Sequence, residues 1–107
     1  MVNSVVATLQ GHELESAIAA GVTLVDFWAP WCQPCRLQQT ILEKVAGLVG
    51  DGIRVCKVDV DENADLMQRY QLNGLPTLLL FKDGNAVKRF IGVQPQEVLL
   101  KALHVYE

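Results

Sequence analysis

The segment Trp31-Cys32-Gln33-Pro34-Cys35-Arg36 places two cysteines three residues apart, between two regular sequence patterns. Before it, the nearly uninterrupted apolar run Val22 to Ala29 predicts a buried strand. After it, apolar residues recur at helical spacing, so Cys32 is expected near the first turn of a helix. Unpaired N–H groups at a helix N-terminus stabilise a thiolate and lower the pKa of the cysteine. The segment therefore predicts a strand-to-helix junction suited to thiol–disulfide exchange.

The number of cysteines argues against a disulfide scaffold. The chain has three cysteines, whereas small secreted domains usually carry a larger, even number. A structural zinc site needs four ligands, and the sequence has no second Cys-x-x-Cys and no closely spaced histidine pair. Redox chemistry is therefore favoured over a metal site or inert cysteines. Cys56 lies in an apolar strand pattern and is expected to pack as a small hydrophobic residue.

Composition and charge limit the class of protein. The 107 residues suffice for one hydrophobic core, and 50% of them are hydrophobic. A net charge of −3 and the absence of any basic run argue against nucleic acid or an anionic membrane as the main partner. The sequence shows neither a bilayer-spanning stretch nor the pattern of a signal peptide. The chain is therefore expected to be cytoplasmic.

The sequence predicts nine elements in the order β-α-β-α-β-α-β-β-α. The strands are expected at Ser4 to Leu9, Val22 to Ala29, Ile53 to Val60, Thr77 to Phe81 and Ala86 to Ile91. The helices are expected to begin near Gly11, near Pro34, after an N-cap at Asp59, Asp61 or Asn63, and near Pro95. Early alternation calls for parallel strands with crossover helices, and the hairpin Lys82-Asp83-Gly84-Asn85 calls for an antiparallel pair. A mixed five-stranded sheet with helices on both faces satisfies both demands.

All four helices have a predicted apolar face. The first is expected to bury Leu14, Ala17 and Ile18, and the last Val98, Leu99, Ala102, Leu103 and Tyr106. The helix from Pro34 to Val49 is expected to bury Leu37, Ile41, Val45 and Leu48, backed by Leu42, Ala46 and Val49. The third helix, running to about Tyr70, has a thin apolar face of Ala64, Met67 and Tyr70.

Several motifs in the chain carry a family resemblance. Asp26-Phe27-Trp28-Ala29-Pro30-Trp31-Cys32-x-Pro34-Cys35 resembles the active-site segment of thioredoxins. Matches in order and spacing follow at Lys57, Gly74-x-Pro76-Thr77, Phe81-x-x-Gly84 and Gly92. The resemblance covers essentially the whole chain. It implies a single domain over residues 1–107 with the α/β thioredoxin fold, a mixed five-stranded sheet flanked by four helices.

The resemblance implies a protein-disulfide reductase whose redox centre is a Cys32–Cys35 disulfide, with no bound cofactor and no metal. Cys32, the more exposed cysteine, is expected to attack a client disulfide, and Cys35 to resolve the mixed disulfide. Burial should raise the pKa of Asp26, which could then accept the proton of Cys35. Lys57 in the next strand is its expected partner, and a purely structural buried ion pair is the alternative.

The resemblance also implies a surface for client proteins. Pro76 is expected to follow a cis peptide bond, and the backbone of Leu75 to pair with an extended client segment. A flat apolar rim is expected from Trp31, Gly74, Leu75, Ile91, Gly92 and Val93. For Ile91 and Val93, ordinary strand packing is equally open. Trp28 is expected to pack beneath the site.

Two positions depart from the usual thioredoxin pattern. Gln33 stands where most thioredoxins have glycine, and Thr40 where many have proline, while Arg36 keeps a common positive charge. Gln33 and Pro34, together with Pro76, are expected to tune the site. We expect Gln33 to alter the reduction potential and to weaken docking to a generic reductase.

The expected partners are disulfide-containing client proteins and a thioredoxin reductase that draws on NADPH or ferredoxin, with the chain acting as a monomer. Two other functions stay open at this stage. One is a disulfide oxidant or isomerase, against which the lack of a signal peptide counts. The other is a redox sensor or binding module, which would show little turnover of insulin-type disulfides.

Overall fold

The computed structural model describes residues 6–107 of the chain. Its strands are β1 (Ala7–Thr8), β2 (Val22–Trp28), β3 (Ile53–Asp59), β4 (Thr77–Lys82) and β5 (Asn85–Ile91). Its helices are α1 (Gly11–Ile18), α2 (Gln33–Leu48), α3 (Asp65–Arg69) and α4 (Gln96–Tyr106). The predicted order of elements is confirmed. Within the described residues the first strand is shorter than predicted, and the start of that prediction, Ser4 and Val5, lies outside them.

The strands form one mixed sheet in the order β1-β3-β2-β4-β5. β3 pairs parallel with β1 and β2, and β4 pairs antiparallel with β2 and β5. The β4–β5 hairpin turns through Asp83 and Gly84, with φ angles of 50° and 88°. Two successive positive φ angles are typical of a tight hairpin turn, which explains the Asp-Gly pair. The predicted fold class, including β5 as an edge strand, is confirmed.

A hydrophobic core lies on each face of the sheet. α1 and α3 cover one face, where Leu14 and Leu66 are fully buried. α2 and α4 cover the other face, where Leu42 and Leu99 are fully buried. Strand residues alternate between the two cores, as the pleat requires. β2, the central strand, is therefore enclosed on both sides, and it leads directly into the cysteine pair.

The predicted apolar face of α2 is wrong in part. The buried residues of α2 are Cys35, Gln38, Leu42 and Val45, whereas Leu37 and Leu48 are 57% and 60% exposed. The buried stripe begins at Cys35 and repeats at three- and four-residue spacing. A polar residue, Gln38, occupies a position in this stripe. The prediction relied only on which residues are apolar, and it therefore chose a face of the helix adjacent to the one that is buried.

The predicted start of α3 is also wrong. The helix begins after Ala64, and no side chain within residues 6–107 caps it. Asp59 instead accepts a hydrogen bond from the backbone N–H of Asp61, at 2.8 Å, and Asn63 accepts one from the N–H of Gly11, at 2.7 Å. These side chains therefore stabilise the loop before the helix and its contact with α1. Leu66, which lies outside the predicted face, is the fully buried residue of α3.

Over the range that the structure describes, no helix has the length and apolar character needed to cross a membrane.

Candidate active site

The cysteine pair forms a disulfide at the first turn of α2. Cys32 is the N-cap residue with extended backbone, and Cys35 lies within the helix, with a Cα–Cα distance of 5.3 Å. The backbone N–H of Cys35 donates a hydrogen bond to Cys32 Sγ at 3.3 Å. The N-cap sulfur thus occupies the place that an oxygen acceptor usually fills. Negative charge on this sulfur would be stabilised by the N–H group and by the helix dipole.

Access to the two sulfurs differs. Cys32 keeps 4% of its surface exposed, whereas Cys35 has 0%. Gln33 and Pro34 between them are exposed and form the outer lip of the disulfide. Cys32 is therefore the less enclosed of the two cysteines, in agreement with the predicted order of exposure.

Asp26 lies within β2, on the face covered by α2. Its carboxylate is fully buried, and neither oxygen has a hydrogen-bond partner among the described residues. This burial raises the pKa of Asp26 to about 7, and the charge of Lys57 opposes the shift. The predicted direction of the pKa shift is confirmed. Such a carboxyl group can exchange a proton near neutral pH.

Lys57 is the β3 residue directly paired with Asp26 in the parallel ladder. Its ammonium nitrogen nevertheless donates a hydrogen bond to Gln39 Oε1 at 3.3 Å, on α2. The same nitrogen lies 5.4 Å from the centre of the Trp28 ring, which is half-buried against the core beneath the disulfide. Lys57 therefore influences Asp26 through its charge, while its hydrogen bond goes to α2.

The loop before β4 and the end of β5 form one surface. The Leu75–Pro76 peptide bond is cis, as the resemblance implies. The Gly92 N–H donates to the Pro76 carbonyl at 2.9 Å, and Thr77 pairs with Ile91 in the β4–β5 ladder. Leu75 packs against the core cluster that contains both cysteines. This arrangement brings the Gly74–Thr77 loop, Gly92 and Val93 together.

The most exposed members of the predicted rim are Trp31 and Ile91, at 69% and 68%. The indole N–H of Trp31 donates to Asp61 Oδ1 at 3.1 Å, which attaches this side chain to the loop after β3. Ile91 is at the end of β5, where the structure leaves its side chain in solvent. The exposure of the Ile91 side chain therefore argues against the alternative, in which it would pack within the sheet.

Sequence reasoning missed two glutamines beside the site. Gln39 is the acceptor for Lys57, and the buried Gln38 hydrogen-bonds the main chain of Gln94. A signal for Gln38 was available, because it follows Cys35 by three residues and precedes Leu42 by four. A polar residue in line with such positions predicts a buried polar contact. The partner residue, 56 positions away, carried no signal of its own.

Two further features concern cysteine and metal chemistry. Cys56 is a free thiol, and burial raises its pKa to about 12, with Arg54 opposing the shift. Among the residues that the structure describes, no group of three or more His, Cys, Asp or Glu side chains could hold a metal ion.

A disulfide at the N-terminus of a helix that follows a central strand, with its first cysteine as the N-cap, is typical of thiol–disulfide oxidoreductases. Comparison with known proteins supports this class. The family model described as Thioredoxin matches residues 5–105. The thioredoxin of Staphylococcus epidermidis is 43% identical over 91 residues, covering 85% of this chain and 88% of its own length. The thioredoxin of Bacillus subtilis is 42% identical over 93 residues, covering 87% and 88%.

Solved structures agree with the sequence matches. A thioredoxin from Halobacterium salinarum, solved as a point mutant, superposes with a TM-score of 0.88 at 34% identity, covering 99% of this chain and 94% of its own. Chloroplastic thioredoxin z gives a TM-score of 0.86 at 35% identity, covering 94% and 93%. The chain belongs to the thioredoxin family.

Family membership defines the activity. The protein is a thiol–disulfide oxidoreductase of the protein-disulfide reductase type. Its redox group is the Cys32–Cys35 disulfide, and thioredoxins use this group without a bound cofactor. The family implies disulfide-containing proteins as substrates and a thioredoxin reductase as the source of electrons.

Proposed function

We propose that Cys32 is the attacking nucleophile and Cys35 the resolving thiol in the reduction of client disulfides. This assignment of roles rests on the lower burial of Cys32 compared with Cys35. It rests also on the backbone N–H of Cys35, which donates a hydrogen bond to Cys32 Sγ. A helix N-terminus favours the thiolate at Cys32 once the disulfide is reduced. Cys35, one turn further into the helix, is shielded from outside disulfides but lies beside Cys32.

The proposed cycle balances as two thiol–disulfide exchanges. The Cys32 thiolate attacks one client sulfur, forms a mixed disulfide and releases the other client sulfur as a thiol. Cys35 then attacks Cys32 Sγ, breaks the mixed disulfide and releases the second client thiol. The client gains two electrons and two protons, and the protein is left with the Cys32–Cys35 disulfide.

Asp26 and Lys57 are proposed to handle the proton of the second step. Asp26 has a pKa of about 7 and lies on the face of β2 beneath α2, so it can accept the Cys35 proton, directly or through a water molecule. The Lys57 charge opposes the shift in Asp26 and thereby keeps part of the carboxyl ionised at neutral pH.

The apolar rim is proposed to bind the client. It consists of Trp31, Gly74, Leu75, Ile91, Gly92 and Val93. The exposure of Trp31 and Ile91 supports this role, since exposed apolar patches mark protein-binding surfaces. Gln33 and Pro34 on the outer lip, and Pro76 in the loop, are proposed to tune the site. The main chain of Leu75 is available to pair with an extended client segment.

Trapping of a mixed disulfide tests the division of roles. Reduced Cys35→Ser protein should form a stable mixed disulfide with insulin, because the resolving thiol is gone, and non-reducing electrophoresis would detect it. Cys32→Ser protein is the matched variant and should trap none. Trapping by the Cys32→Ser variant, or by neither variant, would contradict the proposal.

We further propose that the chain is a single thioredoxin domain that acts as a cytoplasmic monomer. A protein that delivers electrons to disulfides suits a reducing compartment, which supports the location. An apolar rim left open for clients supports the monomer. The electron donor is proposed to be an NADPH- or ferredoxin-dependent reductase. Light scattering of the oxidised and reduced protein tests the monomer, and insulin reduction with each purified reductase tests the donor.

A further inference from the structure

Gln38 forms a pair of contacts with Gln94, the residue that directly follows the apolar rim. It is completely buried on α2, one helical turn after Cys35. Its Oε1 accepts a hydrogen bond from the N–H of Gln94 at 2.6 Å. Its Nε2 donates to the carbonyl of the same residue at 3.2 Å. One side-chain amide therefore satisfies both main-chain polar groups of a residue 56 positions away.

The segment Ile91 to Gln94 is held from its other side as well. The Gly92 N–H donates to the carbonyl of Pro76 at 2.9 Å, and Gly92 has a φ of 84°. The side chain of Gln94 donates to the carbonyls of Ile91 and Gly92, each at 3.3 Å. The segment is thus attached to the Pro76 loop at one point and to α2 at another. The first point is Gly92 and the second is Gln94, with Val93 between them, so two members of the rim, Gly92 and Val93, are held in place.

We propose that Gln38 is a positioning residue that, through Gln94, fixes Gly92 and Val93 of the client-binding rim relative to the disulfide. The inference rests on the proposed function, because it assumes that clients bind this rim. Replacing Gln38 with an apolar residue would cost free energy, because buried polar groups would lose their hydrogen-bond partners. An apolar residue at position 38 would suit a fully buried helix position, but it would leave the N–H and carbonyl of Gln94 without these partners. The buried amide of Gln38 therefore keeps Gly92 and Val93 in a fixed position beside the Gly74–Thr77 loop, the other segment that is proposed to contact clients.

Gln38→Leu tests this role, since leucine has a similar volume but forms no hydrogen bonds. We expect the KM for insulin, with dithiothreitol as the electron source, to rise about tenfold, because Gln94 loses both of its hydrogen bonds to Gln38 and the rim residues before it are no longer held in place. The single-turnover rate of the reduced protein with 5,5′-dithiobis(2-nitrobenzoic acid) should stay within about twofold, because this small disulfide needs Cys32 but little of the rim. The reduction potential of the Cys32–Cys35 pair should not change.

Two further variants make the test decisive. Gln38→Asn keeps a buried amide but is one methylene shorter, so it cannot span both contacts and should raise the insulin KM in the same way. Gln68→Leu makes the same chemical change on the exposed side of α3 and should leave both substrates unaffected. Circular dichroism establishes that each variant is folded at the assay temperature.

Three results would overturn the positioning role. The first is an equal loss of rate with insulin and with the small disulfide, which would place Gln38 in the chemistry of the cysteines. The second is an unchanged insulin KM in both Gln38 variants. The third is loss of the folded state in both, which would assign Gln38 to stability alone. Failure of the proposed function is distinguishable, because Cys35→Ser protein with native Gln38 would then trap no client.

Discussion

Asp26 and Lys57 are paired across the β2–β3 ladder, yet the Lys57 ammonium hydrogen-bonds Gln39, and the Asp26 carboxylate has no hydrogen-bond partner in the described part of the chain. A buried carboxylate without a partner favours its neutral form, because burial penalises the charge. Lysine charge nearby moderates this preference but does not cancel it, so the pKa of Asp26 reaches about 7. The Asp26 carboxyl group can therefore exchange a proton near neutral pH, and its ionisation costs stability.

The stability of the oxidised protein should depend on pH through Asp26. Its folded-state pKa of about 7 exceeds the ordinary value of 3.8, so the folded state binds more protons between these values. The free energy of unfolding therefore falls as pH rises from about 4 to about 7. Asp26→Asn removes this charge. It should raise the free energy of unfolding by about 4 kcal/mol at pH above 7, the equivalent of the shift, and by little near pH 4.

Urea unfolding of both proteins at a series of pH values measures this difference. Asp51→Asn, which neutralises an exposed acid in the turn after α2, is the matched control and should differ little from the native protein at any pH. A stabilisation by Asp26→Asn that is the same at acid and alkaline pH would show that ionisation of Asp26 is not its cause.

The proton-transfer role that we propose for Asp26 predicts a kinetic effect of the same substitution. In the native protein, the rate of mixed-disulfide resolution should rise as Asp26 ionises around pH 7. Asp26→Asn should slow this step about 100-fold at neutral pH, the lower end of general-base contributions, and remove the corresponding inflection. Rapid-quench measurements of insulin reduction separate formation of the mixed disulfide from its resolution. A variant that retains both the rate and the inflection would assign Asp26 a structural role.

Two substitutions around Lys57 should move the pKa of Asp26 in opposite directions. Lys57→Met removes the charge that lowers this pKa, so the pKa should rise above 7. Gln39→Leu removes the acceptor that holds the ammonium on α2, which frees Lys57 to approach Asp26 and should lower the pKa. Carbon-13 NMR titration of the Asp26 carboxyl group measures both. Shifts in the same direction, or no shift with Gln39→Leu, would contradict this account of the hydrogen bond.

Cys56 should take no part in the redox cycle. It is fully buried in β3, and its raised pKa of about 12 keeps it a neutral thiol at physiological pH. Iodoacetamide at neutral pH should therefore label Cys32 in the reduced native protein, leave the buried Cys35 and Cys56 unlabelled, and label no cysteine of the oxidised protein. Cys56→Ala should leave insulin reduction unchanged. Labelling of the oxidised protein would show that β3 opens far enough to expose this thiol.

The fold was predictable because its signals are local. The run Val22 to Ala29 marks β2 as a central strand, and the Asp83-Gly84 pair marks the hairpin, so topology rules leave few arrangements. The phase of α2 was not predicted, since a buried glutamine replaces an apolar residue in its inner stripe. The start of α3 was not predicted either, because Asp59 and Asn63 bond to the loop and to Gly11 rather than to the helix.

The candidate site, like the fold, was predictable only where its signals are local in the sequence. Cys32 and Cys35 are predictable from their spacing at the junction of a strand pattern and a helix pattern, and Asp26 because it interrupts an apolar strand. The hydrogen bonds from Lys57 to Gln39 and from Gln94 to Gln38 join residues far apart in the chain, so no local pattern announces them. The structure was needed to show that the lysine opposite Asp26 bonds elsewhere.

Gln33 is the residue from which we expect the clearest departure in redox behaviour. It is exposed on the lip of the disulfide, between Cys32 and Pro34, where a change alters the surroundings of the Cys32 thiolate. Gln33→Gly should therefore shift the reduction potential and strengthen docking to a generic thioredoxin reductase. Equilibration with glutathione or dithiothreitol buffers measures the potential, and the KM of the reductase measures docking. If neither quantity changes, Gln33 has no tuning role.

The native potential itself decides between reductant and oxidant. A value near that of thioredoxin, about −270 mV, would mean that Gln33 is compatible with a reductant. A value near or above about −180 mV, the range of protein disulfide isomerase, would mean that the Cys32–Cys35 disulfide is easily reduced. We expect a potential shifted by Gln33 but closer to the first value than to the second, because the family comparisons support a reductant. The second result would favour a disulfide oxidant or isomerase instead.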